Sequence, residues 1–378
     1  MEGLFFREGG EKMQGTIVIK IGSSSLTTAT GQLDEQQLNS HVEAMVFLMK
    51  QGYRIVLVTS GAVAAGFSSL GFKRKPKGIA QKQASAAVGQ SLLMQAYMDA
   101  FKQHDYIAAQ LLITRADFAD QQRFSNISQT IGELVKRGAI PIINENDSTS
   151  IEELTFGDND RLSALVSGIV HADMLCLFTD VNGVYDQNPF SYPNAKKYHY
   201  LSEVPETLLE AMDQTTSDVG TGGMFSKLSA AKIAIELGAN VFIGTGEGEE
   251  KFADVLVGKG DGTYLGSFAK NAMSMTKQYI LYHSSPRGTI FIDDGAANAL
   301  LKQHRSLLPA GIVDVNGSFN IGEIVDVRRE NNEVIGKGKV NFTNEELDLL
   351  KGKNSAEVIK ATSRSKKAVI HRNFWVAM

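Results

Sequence analysis

Cysteine is almost missing from this chain, and so are long apolar runs and a strong excess of one charge. The single cysteine, Cys176, cannot form an internal disulfide, and its apolar neighbours in MLCLF predict a buried, inert thiol. This sparing use of cysteine favours a cytoplasmic protein. No run reaches the roughly 18 apolar residues that a transmembrane helix needs, so a membrane partner is not expected.

The catalytic motifs of several enzyme classes are also missing. The sequence contains no HExxH, no G-x-S-x-G, no CxxC pair and no G-x-x-x-x-G-K-[ST]. Zinc-dependent hydrolysis, acyl transfer by a serine and a P-loop nucleotide site therefore lack support. The formal net charge of -4 favours neither nucleic acid nor an anionic membrane as the main partner.

What is present over most of the 378 residues is an alternation of strand-like and helix-like patterns. The strand candidates are 16–22, 54–61, 108–114, 139–144, 174–180 and 239–244. The helix candidates are 34–51, 79–104, 121–137, 160–170, 203–213 and 225–237. Because the strand candidates are continuous apolar runs, they predict a parallel sheet covered on both faces. The prediction is an α/β fold, a three-layer αβα sandwich with a mainly parallel central sheet.

The pattern changes after about residue 270, where short strand-like pieces alternate with turns rich in Gly, Asn and Asp. Two short helix candidates, 295–303 and 343–350, interrupt them. We therefore expect a small β-rich domain at 284–370, after a flexible tail at 1–14, a main domain at 15–268 and a linker at 269–283. Residues 285–378 carry 14 Lys and Arg against 11 Asp and Glu, a net charge of +3.

Polar residues follow the apolar strands at five places. These are Gly22-Ser23-Ser24, Thr59-Ser60-Gly61, Asn144 to Asp147, Thr179-Asp180 and Gly244-Thr245-Gly246. Any one of these groups, taken alone, is better explained as the cap of a following helix. Five of them on one edge of a parallel sheet favour a ligand site, because open α/β sheets bind ligands in the crevice at that edge.

Two of the loops on this edge favour an anion. Lys20 lies near the end of the first strand beside a Gly-Ser loop, although a solvated lysine explains this feature better when it is taken alone. Gly220, Gly222 and Gly223 precede an amphipathic helix whose first turn contains Lys227. A lysine there opposes the helix dipole, which makes sense if the lysine and the free N–H groups face a bound anion.

An acidic and amide-rich segment, INENDSTSIEELTFGDNDRLSAL (143–165), separates two apolar segments. Two cationic loops and one acidic loop on the same sheet edge suggest phosphoryl transfer, with the acidic loop binding the acceptor. Asn amides can bind an acceptor carboxylate and carboxylates an ammonium group. The segment therefore predicts a small acceptor with both groups, although some of its acids fit a solvated loop with helix caps.

A set of motifs in a fixed order resembles the amino acid kinase family. The motifs are IVIKIGSS, IVLVTSGAVAAG, LLITRADF, IPIINEND, FGDNDRLSA, LFTDVNGVYDQNP and GTGGMFSK, and they run from about residue 16 to 268. The tail, with RGTIFIDDGAANALL and SLLPAGIVDVNGSFNIGEIV, resembles a PUA domain. The likeness is to members that phosphorylate the side-chain carboxylate of L-glutamate with ATP and Mg²⁺. It implies the first step of proline biosynthesis, with L-glutamyl 5-phosphate as product and proline as an inhibitor.

The resemblance also implies roles for individual residues. Lys20 and Lys227 are expected to contact the transferring phosphoryl group, and Asp160 to orient both lysines. Ser60, Asp147 and Asn159 are expected to bind glutamate. The expected nucleotide-binding residues are Lys20, Thr179, Asp180, Thr221, Gly222, Gly223, Met224, Phe225, Ser226 and Lys227. The pair Phe225-Ser226 departs from the Ser-Thr or similar pair of many members. The resemblance implies no metal ligand supplied by the protein.

The same resemblance implies a homo-oligomer, a dimer or tetramer, and a hand-off of the unstable acyl phosphate to glutamyl phosphate reductase. Two alternatives stay open from the sequence. One is another enzyme of the same fold that acts on aspartate, acetylglutamate, carbamate or a nucleoside monophosphate. The other is an RNA-binding protein, because PUA domains bind RNA elsewhere; the weak positive charge of 285–378 makes RNA an unexpected partner.

Overall fold

The computed structural model describes residues 15–28, 30–149, 159–213, 223–267, 272–353, 357 and 368–378. The chain divides into two compact units. One comprises the described residues up to Asp117 together with Ser125–Met273. The other comprises Phe118–Phe124 together with Ser274–Met378. Among the residues described, no helix is both long enough and apolar enough to cross a membrane.

The first unit is built on an eight-stranded sheet with the order β3-β4-β2-β1-β5-β9-β10-β8. Its strands are β1 (Thr16–Ile21), β2 (Arg54–Val58), β3 (Ala108–Ile113), β4 (Ile140–Glu145), β5 (Met174–Phe178), β8 (Tyr200–Leu201), β9 (Asn240–Thr245) and β10 (Asp261–Leu265). The six strands from β3 to β9 in that order are parallel, and β10 pairs antiparallel with β9. A separate two-stranded ribbon pairs β6 (Val184–Tyr185) with β7 (Lys197–Tyr198).

Helices cover both faces of this sheet, as the apolar strands predict. The helices between residues 35 and 256 are α1 (Glu35–Lys50), α2 (Ala62–Gly66), α3 (Ile79–Lys102), α4 (Arg115–Ala119), α5 (Gln121–Lys136), α6 (Asn159–Ile169), α7 (Glu206–Asp213), α8 (Met224–Glu236) and α9 (Lys251–Leu256), of which α4 and α5 belong in part to the second unit. One core cluster joins β1, β2 and β5 to α1, with Ile19, Leu57, Cys176 and Met45 fully buried. The prediction of a buried cysteine is confirmed, and burial raises the pKa of the Cys176 thiol.

The second unit contains a five-stranded sheet with the order β12-β11-β13-β14-β15. Its strands are β11 (Gly288–Ile292), β12 (Ile312–Gly317), β13 (Ile324–Arg329), β14 (Val334–Val340) and β15 (Ile370–Ala377), and its helices are α10 (Met275–Gln278), α11 (Asp294–Leu301) and α12 (Asn344–Leu350). Pairing is antiparallel except between β11 and β13. An aromatic cluster holds Phe118 and Phe124 within this unit, because the ring of His283 lies 4.9 Å from the first and 5.0 Å from the second.

The predicted fold class is confirmed: a mostly parallel sheet between helices, and a separate small β-rich domain. The predicted strands and long helices of the first unit are all present, with ends shifted by at most three residues. The sequence reading missed the short helices α2, α4 and α9 and the two sheet-edge strands β8 and β10. These elements have two to six residues, too few for a period of 3.6 or 2 to be recognised.

Candidate active site

The register of the parallel strands brings the polar strand ends to one edge of the sheet. Lys20 on β1 pairs with Val58 on β2 and with Leu177 on β5. Val58 pairs in turn with Ile143 on β4. The residues that follow these positions, Thr59 and Ser60, Asn144 to Asp147, and Thr179 and Asp180, therefore lie on the same edge as Lys20.

Two lysines far apart in the chain converge on one buried carboxylate at this edge. Lys20 Nζ lies 2.6 Å from Oδ1 of Asp160, and Lys227 Nζ lies 3.1 Å from Oδ2. The exposed fractions are 3% for Lys20, 6% for Lys227 and 0% for Asp160. Two positive charges beside one negative charge leave a net positive site, which can bind a further anion.

Backbone packing explains this convergence. Asp160 belongs to the first turn of α6, and α6 packs against both β1 and α8. β1 carries Lys20, and the first turn of α8 carries Lys227. The carboxylate thus sits on an element that touches both elements bearing its partners, so the ion pairs need no long loop to hold them.

Next to Asp160 along the chain, Asn159 lies in a network of amides. Its Nδ2 donates to the backbone carbonyl of Thr59 at 2.7 Å, and lies 2.8 Å from Ser60 Oγ and 2.9 Å from Asn144 Oδ1. Asn144 Oδ1 also accepts from the backbone N–H of Glu145 at 2.9 Å, and Asn144 Nδ2 donates to Gln90 Oε1 at 2.8 Å. The structure therefore brings the predicted residues Ser60 and Asn159 into direct contact.

Asp147, the third predicted acceptor-binding residue, lines a cavity of about 210 Å³ together with Ala62, Ala86, Gln90 and Ser148. Burial raises the pKa of its carboxyl group, and the positive charge of Lys75 opposes that shift. Gln90 is an amide that the sequence reading did not select. Both side chains line one cavity, which Glu145 lines as well, so an acceptor that enters it meets carboxylates and an amide.

Close packing of two helices places Gln90 there. A Cβ added to Gly89 on α3 would lie 1.8 Å from the carbonyl oxygen of Ala62 on α2, and one added to Gly66 would lie 2.1 Å from the carbonyl oxygen of Ser85. Only glycine allows this approach at either position. The signal in the sequence is the run ASAAVGQ (84–90). Its small residues indicate a close helix contact, and its last residue, Gln90, is a buried amide.

The residues predicted to bind nucleotide lie at the ends of β5 and at the start of α8. Thr179 and Asp180 directly follow β5, where the Thr179 hydroxyl donates to Asp180 Oδ1 at 3.0 Å. Gly223 is the N-cap of α8 and provides no side-chain cap, and Met224, Phe225 and Ser226 form the first turn. Phe225 is 37% exposed. Thr221 and Gly222 lie outside the described residues.

Chemically, the described part of the site offers two kinds of surface. Buried ammonium groups and the start of α8 suit a polyphosphate, since helix N-termini and lysines both bind anions. The Ser60–Asn159–Asn144 network and Asp147 suit a small polar acceptor. Among the described residues, no group of three or more His, Cys, Asp or Glu side chains could hold a metal ion.

Comparisons with known proteins identify the family of this chain. Residues 15–245 match the model of the amino acid kinase family, and residues 288–362 match that of the PUA domain. A glutamate 5-kinase of Shouchella clausii is 68% identical over 363 residues, which are 96% of this chain and 97% of the relative. A glutamate 5-kinase of Bacillus cereus (strain G9842) is 53% identical over 362 residues, which are 96% of this chain and 99% of the relative.

With most of its length matched by that model, the chain belongs to the amino acid kinase family, and it carries a PUA domain after the kinase domain. Within the family, its similarity is to the glutamate 5-kinases, at 53% to 68% identity over nearly the whole chain. The resemblance drawn from the motifs is confirmed.

Proposed function

We propose that this protein transfers the γ-phosphoryl group of ATP to the side-chain carboxylate of L-glutamate and forms L-glutamyl 5-phosphate. The observation that carries the proposal is the pairing of Lys20 and Lys227 with Asp160, beside the Ser60–Asn159 contact. Glutamate 5-kinases of Shouchella clausii and Bacillus cereus support the choice of acceptor.

The acceptor's own chemistry explains why no catalytic base is needed. A side-chain carboxyl group with an ordinary pKa of about 4.3 is already ionised near neutral pH. The difficulty is that an anion has to approach a polyanion, so the enzyme must neutralise charge and place the reactants in line. Lys20 and Lys227 provide the neutralisation, and Ser60, Asp147 and Asn159 provide the placement.

ATP and Mg²⁺ are the proposed co-reactant and metal ion. The buried ammonium groups of Lys20 and Lys227 fit a triphosphate, and Thr179, Asp180 and the segment 221–227 are assigned to the nucleotide. Mg²⁺ is usually held through substrate phosphates and a few carboxylates rather than by an all-protein cage, so this residue set is compatible with it. When bound, it would neutralise charge on the phosphates.

The proposal extends to the surroundings of the reaction. The enzyme is proposed to act in the cytoplasm, in the first step of proline biosynthesis, as a homo-oligomer. Proline is proposed to inhibit it, since a cyclic amino acid has the same ammonium and carboxylate groups as the acceptor. An acyl phosphate hydrolyses readily in water, so transfer to glutamyl phosphate reductase is proposed to follow directly.

The test compares acceptors. ADP release is measured with glutamate, aspartate, N-acetylglutamate, carbamate and UMP, and hydroxylamine is added to trap any acyl phosphate as a hydroxamate. The expected result is glutamate-dependent ADP release with an equal amount of hydroxamate. Faster turnover with another acceptor, or ADP release without hydroxamate, would contradict the proposal.

A further inference from the structure

Gln90 combines deep burial with a hydrogen-bond donor that has no acceptor among the described residues. Its exposed fraction is 8%, and its side chain lines the same cavity as Asp147. Its Oε1 accepts from Asn144, but its Nε2 has no hydrogen-bond partner within the described part of the protein. A buried donor left unpaired costs free energy, so such groups in native proteins call for an explanation.

Two backbone groups fix which way the amides point. The carbonyl of Thr59 can only accept, so the atom of Asn159 that faces it must be Nδ2. The N–H of Glu145 can only donate, so the atom of Asn144 that faces it must be Oδ1. Nδ2 of Asn144 therefore faces Gln90 and donates to it, so the accepting atom of Gln90 must be Oε1. The unpaired atom of Gln90 is thus the donor.

The network has a direction as a result. At one end, Asn159 Oδ1 is an acceptor without a partner in the described residues, and at the other end Gln90 Nε2 is a donor without one. Asn144, between them, is 1% exposed and has both side-chain groups in use. Rotation of Gln90 by half a turn would oppose two donors across 2.8 Å, so the donor stays aimed away from Asn144.

We propose that Gln90 Nε2 donates a hydrogen bond to the α-carboxylate of the acceptor amino acid, while Asp147 in the same cavity binds its α-ammonium group. The carboxylate of Asp147 complements the α-ammonium group of a free amino acid, and the amide donor of Gln90 complements its α-carboxylate. Gln90 is then a substrate-binding residue and selects acceptors that carry a carboxylate at that end. This inference rests on the proposed function.

Two substitutions of Gln90 distinguish its proposed hydrogen bond to the substrate from its hydrogen bond with Asn144. Gln90→Glu keeps an oxygen for Asn144 but replaces the donor with a second oxygen. Gln90→Met has a similar shape, removes the donor and introduces no titratable group. Loss of a hydrogen bond to a charged group raises KM for glutamate about 10- to 100-fold, with KM for ATP unchanged. Gln95→Met, an exposed position on the same helix α3, is the matched control and keeps both values.

Acceptor analogues identify the group that Gln90 binds. Glutarate has a carboxylate at that end and no ammonium, and 4-aminobutyrate has the ammonium but no carboxylate at that end. Both are measured as competitive inhibitors against glutamate. In Gln90→Met, Ki for glutarate is expected to rise by the same factor as KM for glutamate, and Ki for 4-aminobutyrate to stay within about twofold. In Gln90→Glu, 4-aminobutyrate is expected to bind no worse.

Equal losses for both analogues, or none for either, would overturn the inference, because a purely structural role cannot distinguish them. The proposed function is judged separately on the unmodified enzyme. If that enzyme forms hydroxamate from glutamate and the analogues fail to separate, only the role of Gln90 is wrong. If it forms none, the proposed function itself is wrong.

Discussion

Asp160 provides a test of the site that does not depend on the acceptor. Asp160→Asn keeps the size and shape of the side chain but removes the one negative charge that pairs with Lys20 and Lys227. Both ammonium groups are almost fully buried. The variant therefore leaves two like charges together in a place where water screens them poorly.

The distances set the size of the effect. At an effective dielectric constant of about 20, attractions at 2.6 and 3.1 Å are about 5–6 kcal/mol each before any cost of burial. Removal of one partner from a buried ion pair gives a net loss of about 3–5 kcal/mol, because burial had already cost much of that attraction. For a unit of this size, the loss corresponds to a fall in Tm of roughly 6–20 °C.

Nucleotide should offset part of this loss. A bound triphosphate supplies negative charge to the same two lysines, so MgATP is expected to raise Tm more in Asp160→Asn than in the unmodified protein. The value of kcat is expected to fall about 10²–10³-fold, because the lysines are no longer held in place.

The measurements are thermal unfolding with and without MgATP, and steady-state kinetics. Glu206→Gln is the control, because it removes the ion-pair partner of Lys232. Lys232 lies on α8, as Lys227 does, but it is exposed, and an exposed ion pair contributes about 0–1 kcal/mol to stability. If Asp160→Asn has the same Tm as the unmodified protein, and MgATP raises both Tm values equally, then Asp160 does not hold the lysines in place.

Three further predictions concern single positions. Lys227→Ala should lower kcat about 10²–10³-fold in the ADP-release assay while Lys232→Ala on the same helix leaves it unchanged; equal rates would remove Lys227 from the reaction. Burial raises the pKa of Asp147, and only its ionised form binds an ammonium group, so KM for glutamate should rise on acidification at a pH above the ordinary value of 3.8. In Asp147→Asn, KM should be high and independent of pH, and a matching pH profile in both proteins would contradict this role. Gly89→Ala should lower Tm and raise KM for glutamate, because its Cβ meets backbone at 1.8 Å, whereas Gly132→Ala, with nothing within 4 Å, should hold or raise Tm.

The main layers of the fold followed from elementary patterns. Continuous apolar runs such as TIVIKI and MLCLF are fully buried strands in the structure, and the six parallel strands of the sheet are those the runs predicted. The reversed edge formed by β10 and β8 was not predictable in the same way. DGTYL contains a turn-forming glycine, and the two residues of β8 carry no period at all.

The site was less accessible to local reasoning. Lys20 beside a Gly-Ser loop is ambiguous by itself, and its partner Asp160 lies 140 residues away in the numbering. Only the register of β1 with its neighbours, and the packing of α6 on β1 and α8, joins the two. The motif resemblance identified Lys20, Asp160 and Lys227, because it rests on a whole family of folded proteins and not on local spacing.

Gln90 shows the opposite case, a residue that neither motif nor charge identified. A glutamine within a 24-residue helix is ordinary, and its helical period marks it only as one of several buried positions. Its importance comes from orientation, which depends on the N–H of Glu145 two hydrogen bonds away and on the carbonyl of Thr59 three hydrogen bonds away. Hydrogen-bond direction is a property of the folded network and cannot be read from the identity of one residue.

The start of α6 carries one residue assigned to the acceptor and one that pairs with the lysines assigned to the phosphoryl group. Asn159 and Asp160 are adjacent in the chain, yet the first joins the amide network that we assign to the acceptor and the second pairs with both lysines. The helix behind them is buried from Leu162 to Ile169, so it cannot shift without disturbing the core. In the proposed reaction, one rigid backbone segment therefore aligns acceptor and phosphoryl donor, which is the condition that in-line transfer between two anions requires.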